Sequence, residues 1–167
     1  MILLRSFVFN VGFYTGTLVL MIVFLPILIL DRNVLPRCGH VWSSMLRWWL
    51  SVAVGVRVEI RGEIPSGPCL IAAKHQSAWE VIEFLRLLPD ACFVLKRELT
   101  WIPIFGWYIS GNRQIVVDRS GGVRALKRML GEAQIALNAG RQIVVFPQGT
   151  RVEPGVVKAY QPGIALL

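Results

Sequence analysis

Charged residues, cysteines and histidines are all scarce in this sequence of 167 residues. Asp, Glu, Lys and Arg together make up 17% of it, against about a quarter in ordinary soluble domains. Intrinsic disorder is excluded, because it requires low hydrophobicity and high charge, whereas 54% of this chain is hydrophobic. Three cysteines are too few, and odd in number, for the disulfide framework of a secreted scaffold. The chain is therefore more apolar than an ordinary soluble domain and is not built on disulfides.

Patterns for binding metal or nucleic acid are also missing from the sequence. Cys38, Cys69 and Cys92 form no C-x-x-C pair, and only two histidines are present, so we expect no structural metal site. The net charge of +8 favours an acidic partner, but no zinc-finger spacing, glycine-rich phosphate loop or aromatic RNA-binding strand accompanies it. The charge therefore predicts anionic lipid headgroups or a phosphorylated substrate as partners, and no nucleic acid; the alternative is that the basic residues only keep the surface soluble and oriented.

A long uncharged run dominates the N-terminal part of the chain. Residues 7–30 contain no charged side chain, and as one helix they would extend about 36 Å, more than the roughly 30 Å of bilayer hydrocarbon. A signal peptide has a shorter apolar core and a small-residue cleavage site. We therefore predict a retained membrane segment, with the buried helix of a soluble protein as the alternative. Gly12 and Gly16 form a small-xxx-small pair that can pack against another helix, and a chance spacing is the alternative.

A second apolar stretch, residues 41–56, is shorter and carries Arg47. Trp42, Trp48 and Trp49 within it suit the interface between membrane and water, where the ring is apolar and the N–H stays hydrated. The stretch predicts an interfacial helix or the return arm of a two-helix hairpin, and a tryptophan-rich core helix is the alternative. Basic residues are more frequent after the first apolar run than before it, which predicts that the rest of the chain is cytoplasmic.

From residue 57 onward, short strand-like runs alternate with helical ones. The strand-like runs, rich in apolar and β-branched residues, occupy residues 56–61, 70–73, 91–95, 114–118 and 142–146. Helices are predicted over 79–88 and 120–138, the second from its apolar spacing of three and four residues. Alternating strands and helices predict an α/β layered domain. We therefore divide the chain into a membrane-anchoring helical region, 1–56, and an α/β domain, 57–167.

His75 and Glu80 form the first candidate catalytic pair. Histidine is the natural general base near neutral pH, and a carboxylate at its far nitrogen fixes the tautomer and stabilises the imidazolium. Because Glu80 follows His75 by five positions, the two would face different sides of a regular helix or strand. They can meet only across a turn, with His75 at a strand end and Glu80 in the first turn of a helix. Ser77 lies between them and is a candidate helix cap rather than a nucleophile.

Two further groups of polar residues follow predicted strands. The last predicted strand runs into a loop in which Thr150 offers a hydroxyl and Arg151 a planar set of donors suited to phosphate or carboxylate. Gly149 allows the backbone to approach a ligand closely. Asp118 and Arg119 end another strand, at the position where α/β sheets bind ligands. These groups predict a site for an anionic ligand at the strand ends, and ordinary turns with solvated arginines are the alternative.

Four motifs occur in an order that resembles a known family. They are His75-x-x-x-x-Glu80, Lys96-Arg97-Glu98-Leu99 with Ile102-Pro103-Ile104-Phe105-Gly106-Trp107, Asp118-Arg119, and Phe146-Pro147-Gln148-Gly149-Thr150-Arg151. Over residues 57–163 the chain resembles the 1-acyl-glycerol-3-phosphate acyltransferases of the glycerolipid acyltransferase superfamily. The resemblance implies an α/β fold with a mixed sheet flanked by helices, preceded by a membrane-embedded helix or two-helix hairpin.

The same resemblance implies a membrane-bound O-acyltransferase of phospholipid biosynthesis. It would transfer a fatty acyl group from acyl-CoA or acyl carrier protein to the sn-2 hydroxyl of 1-acyl-glycerol-3-phosphate and give phosphatidic acid, without a cofactor. His75 would be the general base, and Glu80 would orient it. The substrate-binding residues would be Lys96, Arg119, Gln148, Gly149, Thr150 and Arg151. The bacterial inner membrane would be its location, with the catalytic domain on the cytoplasmic side.

The sequence departs from the family pattern in three places. Glu80 stands where the family usually has Asp, and Gln148 where it usually has Glu. The sequence ends at Leu167, before a further strand with a Pro-containing motif, so we expect a C-terminally truncated acyltransferase domain. The alternatives are the same chemistry on another lysolipid or on glycerol-3-phosphate, and a catalytically inactive membrane module that binds lipid.

Overall fold

The computed structural model of this chain consists of two long helices followed by a four-stranded sheet with flanking helices. The structure describes the backbone of residues 1–167 and the side chains of all but residues 119, 162 and 165. The helices are α1 (Ile2–Val23), α2 (Ile27–Leu30), α3 (Leu35–Ala53), α4 (Trp79–Leu87), α5 (Phe105–Gly111) and α6 (Gly122–Asn138). The strands are β1 (Cys69–Ala72), β2 (Ala91–Lys96), β3 (Ile115–Val117) and β4 (Gln142–Val145). Short 3₁₀ turns cover Arg32–Val34, Arg97–Trp101, Arg119–Gly121 and Pro162–Leu166.

The apolar N-terminal run is divided between two helices instead of forming one helix over 7–30. α1 begins earlier, at Ile2, and ends at Val23, because Pro26 has no N–H to donate and disfavours the helical conformation of the residue before it. The short helix α2 follows. α1 has no buried residue and is long and apolar enough to cross a membrane, at about 33 Å for its helical rise. The apolar helix that the sequence predicts is therefore present, with different ends.

α1 and α3 pack antiparallel as a hairpin, through the glycines singled out in the sequence. A Cβ atom at Gly12 would collide with the Trp49 indole, and one at Gly16 would touch the Met45 side chain. The Trp49 indole N–H also donates to the Phe9 carbonyl at 3.0 Å. The prediction that these two glycines pack against another helix is confirmed, and the hairpin is the arrangement that the second apolar stretch adopts.

The three tryptophans predicted at a membrane interface have different surroundings. Trp42 donates its indole N–H to Thr17 Oγ1 of α1 at 3.0 Å, and Trp49 is bonded to the same helix. Trp48 is exposed. An indole N–H that is shielded from water needs a partner within the protein. Two of the three tryptophans therefore hold the hairpin together, and the interfacial position stays a prediction for the exposed Trp48.

α3 also packs against α4 and thereby joins the hairpin to the sheet. Arg47 Nη1 donates to Glu83 Oε2 at 3.2 Å, and Arg86 Nε donates to the same oxygen at 3.1 Å. Glu83 is buried, so its charge requires such partners. The ion pairs fix α4, which starts at the candidate site, to the helical hairpin.

The sheet is parallel, with the strand order β1-β4-β2-β3. Cys69 pairs with Gln142, Gln142 with Ala91 on its other side, and Val94 with Ile115. The predicted α/β fold with flanking helices is confirmed. All three strand pairings are parallel, so these strands do not form the mixed sheet that the resemblance implied.

The strand predicted over residues 56–61 is not formed. An extended segment needs a neighbouring strand to satisfy its backbone groups, and no described strand pairs with this one. Arg47 Nη2 donates to the Val58 carbonyl at 3.1 Å in its place. The alternation of apolar and polar side chains indicates an extended segment with one apolar side. A β-strand also needs a neighbouring strand to bond with.

Two apolar clusters fill the two faces of the sheet. The cluster on the α6 side contains Cys92, Ile115, Met129, Ala133, Ala136 and Ile143. The cluster on the α4 side contains Leu88, Ala91, Phe93 and Val144, with Val81 and Leu85 packed against them. Successive residues of a strand point to opposite faces, which is why Cys92 and Phe93 belong to different clusters. The sheet is therefore covered on both faces, as parallel sheets require.

Polar side chains tie together the amino ends of the strands. Arg141 is buried and donates to Asp90 Oδ1 at 2.9 Å. It also donates to the carbonyls of Asn112 and Arg113, at 3.1 and 2.8 Å. The Gln142 side-chain oxygen accepts the N–H of Asp90 at 3.2 Å. These bonds occupy the amino edge of the sheet, and the opposite edge carries the candidate site.

Candidate active site

The parallel strands deliver the predicted site residues to one edge of the sheet. β1 leads to His75, β2 ends at Lys96, β3 leads to Asp118, and β4 runs into residues 146–151. The carboxyl ends of neighbouring parallel strands meet at the same edge. Motifs that are far apart in the sequence therefore come together, at the strand ends where ligand-binding residues are expected.

His75 and Glu80 are hydrogen-bonded, with 2.8 Å between His75 Nδ1 and Glu80 Oε1. A turn separates β1 from α4, and Glu80 lies in the first turn of α4, as the spacing of five requires. The side chains are 18% and 22% exposed. An ionised carboxylate only accepts hydrogen bonds, so Nδ1 carries the proton and Nε2 keeps its lone pair. Among the residues that the structure describes, none is hydrogen-bonded to Nε2, which leaves it available to a substrate.

The Glu80 carboxylate accepts several further hydrogen bonds. The N–H groups of Gln76 and Ser77 donate to Oε1 at 2.6 and 2.9 Å, and the Ser77 hydroxyl donates to Oε2 at 2.6 Å. Partial burial raises the pKa of Glu80, but the hydrogen bonds from Ser77 and His75 together outweigh it and lower the pKa to about 2. The carboxylate is therefore ionised at neutral pH and can stabilise an imidazolium beside it.

Ala78, which precedes α4, already has helical backbone angles, so Ser77 before it takes the place of the predicted cap. The Ser77 Oγ accepts the N–H of Trp79 at 3.0 Å, while Glu80 reaches back to the N–H of Ser77. This is the reciprocal arrangement of a capping box, in which a serine and the glutamate three residues later satisfy the first N–H groups of a helix. One carboxylate thus caps α4 and orients His75, so the start of the helix and the geometry of the pair are coupled.

The loop after β4 packs directly against His75. The Phe146 ring stacks on the imidazole, with 4.2 Å between the ring centroids and 21° between their planes. The His75 N–H donates to Gln148 Oε1 at 3.4 Å, and the His75 carbonyl accepts the N–H of Val152 at 2.7 Å. The first and last sequence motifs therefore form one structural unit.

A tight turn through Pro147, Gln148 and Gly149 ends β4. The N–H of Gly149 donates to the Phe146 carbonyl at 2.9 Å, and Gly149 has a φ of +68°, in the left-handed region that favours glycine. Gln148 is buried. A carboxylate buried here without a cation would be costly, whereas the neutral amide oxygen accepts the backbone N–H of His75 without adding a negative charge beside Glu80.

A groove of about 310 Å³ lies along the strand ends next to this turn. Asp118, Phe146 and Gly149 are among the residues that line it. Arg97 Nη1 donates to Asp118 Oδ2 at 2.8 Å. Hydrogen bonds from Ser120, followed by the one from Arg97, lower the pKa of Asp118. The groove thus connects Phe146, whose ring stacks on His75, with an ionised Asp118 that is already paired with a cation.

The remaining predicted substrate-binding residues lie around the same edge. Lys96 and Arg151 are exposed, and Thr150 is half-buried. None of these three side chains is hydrogen-bonded to any side chain that the structure describes. The backbone of Arg119 opens a 3₁₀ turn, but its side chain lies outside the described part of the structure. The substrate-binding roles of all four stay predictions.

Three features of the site were missed at the level of the sequence. The capping box had a signal, the Ser-x-x-Glu spacing of Ser77 and Glu80, although only Ser77 was assigned to the helix cap. The stack of Phe146 on His75 had none, because it joins the ends of β1 and β4, which become neighbours only in the sheet. The ion pair of Arg97 with Asp118 likewise links two motifs through the pairing of β2 with β3.

Known proteins resemble this chain in sequence. It is 36% identical over 124 residues to a 1-acyl-sn-glycerol-3-phosphate acyltransferase of Pseudomonas aeruginosa, covering 73% of this chain and 48% of that protein. It is 31% identical over 165 residues to 1-acyl-sn-glycerol-3-phosphate acyltransferase alpha of Mus musculus, covering 95% and 56%. It is 34% identical over 112 residues to a lyso-ornithine lipid O-acyltransferase of Pseudomonas aeruginosa, covering 65% and 42%. The chain spans about half the length of these curated relatives.

A solved structure shares the fold. The crystal structure of the 1-acyl-sn-glycerophosphate acyltransferase PlsC from Thermotoga maritima matches with a TM-score of 0.75 at 23% identity, covering 97% of this chain and 68% of that one. The sequence model of the acyltransferase family matches residues 55–167, which include every predicted site residue. From this match over more than half of its length, the chain belongs to the acyltransferase family.

Proposed function

We propose that this chain transfers a fatty acyl group from a thioester to the sn-2 hydroxyl of 1-acyl-glycerol-3-phosphate and forms phosphatidic acid. The observation that carries the proposal is the hydrogen bond between His75 Nδ1 and the ionised Glu80, 2.8 Å long, at the ligand-binding edge of the sheet. The names of the relatives from Pseudomonas aeruginosa and Mus musculus support the choice of reaction.

The geometry of the pair supports general-base catalysis. His75 Nε2 takes the proton of the acceptor hydroxyl, and Glu80 stabilises the imidazolium that results. The hydroxyl oxygen attacks the thioester carbonyl, and the tetrahedral intermediate expels the thiolate, which receives the proton from the imidazolium. The acceptor is the nucleophile, so the chain forms no covalent acyl intermediate.

The basic residues around the edge suit the anionic parts of both substrates. Arg151 offers a planar set of donors for the phosphate of the acceptor, next to Thr150 and Gly149, and Arg119 follows β3 on the same edge. Lys96 ends β2 and would hold the acidic carrier of the acyl thioester, either acyl-CoA or acyl carrier protein. Neither role requires a cofactor.

The hairpin suits an enzyme whose lipid substrates reside in a bilayer. α1 is apolar and has no buried residue, so it is matched to a membrane rather than to a protein core. Arg32 and Arg37 follow it and Arg5 lies near its start, which supports a cytoplasmic location for the sheet domain. The bacterial inner membrane is the location we propose, and the relatives from Pseudomonas aeruginosa support it.

The test is acyl transfer from radiolabelled acyl-CoA to 1-acyl-glycerol-3-phosphate by membranes that contain the chain. His75→Ala should lower kcat by about 10²–10⁴, the usual contribution of a general base. His40→Ala is the matched control, because the other histidine lies on α3 and contacts the Pro89 carbonyl. An inactive parent chain, or a His75→Ala protein with the activity of the parent, would contradict the proposal.

A second acceptor is favoured by one of the relatives, which is named for acylating lyso-ornithine lipid. The chemistry at His75 would be the same, but the acceptor has no phosphate for Arg151 to bind. Arg151→Ala should therefore weaken transfer to 1-acyl-glycerol-3-phosphate, or to glycerol-3-phosphate, more than transfer to lyso-ornithine lipid. Equal losses on both acceptors would assign Arg151 another role. If no acceptor is used, and the chain binds lipid in a salt-sensitive way that His75→Ala leaves unchanged, the chain is an inactive membrane module that binds lipid.

A further inference from the structure

An exposed apolar surface outside the hairpin lies beside the carboxyl end of β2. The side chains of Trp101 and Trp107 are 68% and 56% exposed. Ile102 and Phe105, between them, are also exposed. Single exposed apolar residues are ordinary, but four within seven positions, two of them tryptophans, mark an interaction surface. We call these four residues the tryptophan surface.

The backbone that presents this surface is tightly constrained. The N–H of Phe105 donates to the Pro103 carbonyl at 2.7 Å, and Ile104 between them has φ of +65° and ψ of −54°, the conformation of the rare classic γ-turn. A β-branched residue rarely adopts a positive φ. A Cβ atom at Gly106 would run into the Thr100 backbone. Strained backbone of this kind persists where the surrounding structure holds it and clusters at functional surfaces.

The tryptophan surface adjoins the end of the apolar helix. Tyr108, in the same helix as Trp107, donates its hydroxyl to the Met21 carbonyl near the end of α1 at 2.7 Å. Gly111 packs against Leu28 of α2 and Leu35 of α3. α5 therefore lies against the bend of the hairpin, and a bilayer that receives α1 would meet α5 beside it.

The described charges of residues 96–98 and Asp118, beside the tryptophan surface, balance. Arg97 is paired with Asp118, and the exposed Lys96 and Glu98 carry opposite charges within the same segment. The surface thus offers an anionic lipid no net attraction of its own. Any attraction to the membrane comes from the two indole side chains. Indole favours the headgroup region of a bilayer because its ring is apolar and its N–H is polar.

We propose that the tryptophan surface is a second membrane contact, which rests in the headgroup region of the bilayer beside the end of α1. Lys96 ends β2, and the 3₁₀ turn Arg97–Trp101 leads from it to the tryptophan surface. The contact would therefore hold the carboxyl ends of the strands at a fixed depth relative to the lipid substrates. This contact rests on the proposed membrane location of α1, but it does not depend on acyl transfer.

The experiment places an environment-sensitive fluorophore on the surface of the full chain in vesicles. Cys69, which is half-buried, is first replaced by serine, and Cys38 and Cys92 are buried. The probe is attached to Trp107→Cys and, in a second protein, to Trp101→Cys. The control is Ile135→Cys, since Ile135 is 71% exposed on α6. The vesicles are either zwitterionic or contain anionic lipid. Two quenchers of the fluorophore are used: a spin-labelled lipid, which reports contact with the membrane, and iodide, which reports contact with water.

At positions 107 and 101 we expect quenching by the spin-labelled lipid and protection from iodide on addition of either kind of vesicle. The effect should persist at about 1 M salt, where the Debye length is about 3 Å. The probe at position 135 should stay accessible to iodide throughout. Responses at 107 and 101 equal to that at 135 would overturn the proposal. Protection from iodide before vesicles are added would also overturn it, because a protein segment or a second copy would then cover the surface.

Discussion

Replacing Glu80 by glutamine tests the assembly of the site most directly, because the change keeps the shape of the side chain and removes its charge. Glu80 accepts hydrogen bonds from His75 Nδ1 at 2.8 Å and from the Ser77 hydroxyl at 2.6 Å. A glutamine amide accepts only through its oxygen, and its NH₂ group would face other donors. His75 would therefore lose the anion that selects its tautomer and stabilises its charged form.

Glu80→Gln should lower both kcat and the free energy of unfolding. kcat should fall by about 10²–10⁴, since a general base without its orienting carboxylate loses most of its advantage. The pKa of Glu80, about 2 against the ordinary 4.5, corresponds to at most about 3 kcal/mol of stability. Contact with solvent reduces this to about 1 kcal/mol. The pKa is lowered by folding, so this stability is present above pH 4.5 and is lost as the pH falls to about 2.

The assay measures kcat and KM for acyl-CoA and 1-acyl-glycerol-3-phosphate, together with unfolding between these two pH values. Glu80→Asp keeps the charge and should recover kcat to within about tenfold of the parent, because the base is still oriented by an anion. Glu132→Gln is the control, since it removes an exposed ion pair with Arg128 and should cost only about 0.5 kcal/mol. The reasoning would be refuted by a Glu80→Gln protein with the kcat of the parent, or by an unchanged acid dependence of its unfolding.

Three further substitutions test the packing that supports the site. Arg141→Met should lower the free energy of unfolding by about 3 kcal/mol, because it leaves the partners of the buried guanidinium unsatisfied; thermal unfolding in detergent measures this. Glu83→Gln should lower it by about 2–3 kcal/mol, because its two arginine partners, Arg47 and Arg86, lose their anion, and a free energy of unfolding equal to the parent's would contradict the role of these ion pairs. Gly12→Val should separate α1 from α3, because the added atoms collide with Trp49; faster proteolysis within the hairpin is the expected readout, and an unchanged rate would argue against the packing.

The pairing of His75 with Glu80 could be predicted because its determinants are local. A spacing of five residues across a turn, and a serine three residues before a glutamate, constrain the start of α4 whatever the rest of the chain does. The break of the apolar run at Pro26 was equally local, since proline cannot continue a helix, although the prediction over 7–30 passed through it.

Predictions that depended on a neighbouring segment distant in the sequence were less accurate. The alternation over residues 56–61 suggested a strand, yet no described strand lies beside it. Trp42 and Trp49 fit the composition of a membrane interface, but their N–H groups bond to α1. In each case the residue type indicated the kind of neighbour that the segment needs, such as a strand or a hydrogen-bond acceptor. It did not indicate which part of the chain becomes that neighbour.

By itself the sequence determined the apolar N-terminal helix, the alternation of strands and helices, and the residue types that carry the chemistry. Hydrophobic spacing, proline and capping residues act within a few positions, so their effects can be read along the chain. Tertiary structure alone decided that the sheet is parallel and that Phe146 stacks on His75. It also decided that Arg97 pairs with Asp118 and that α5 lies against the end of the hairpin. These contacts join segments distant in sequence, and their geometry depends on which strands and helices become neighbours when the two faces of the sheet are buried.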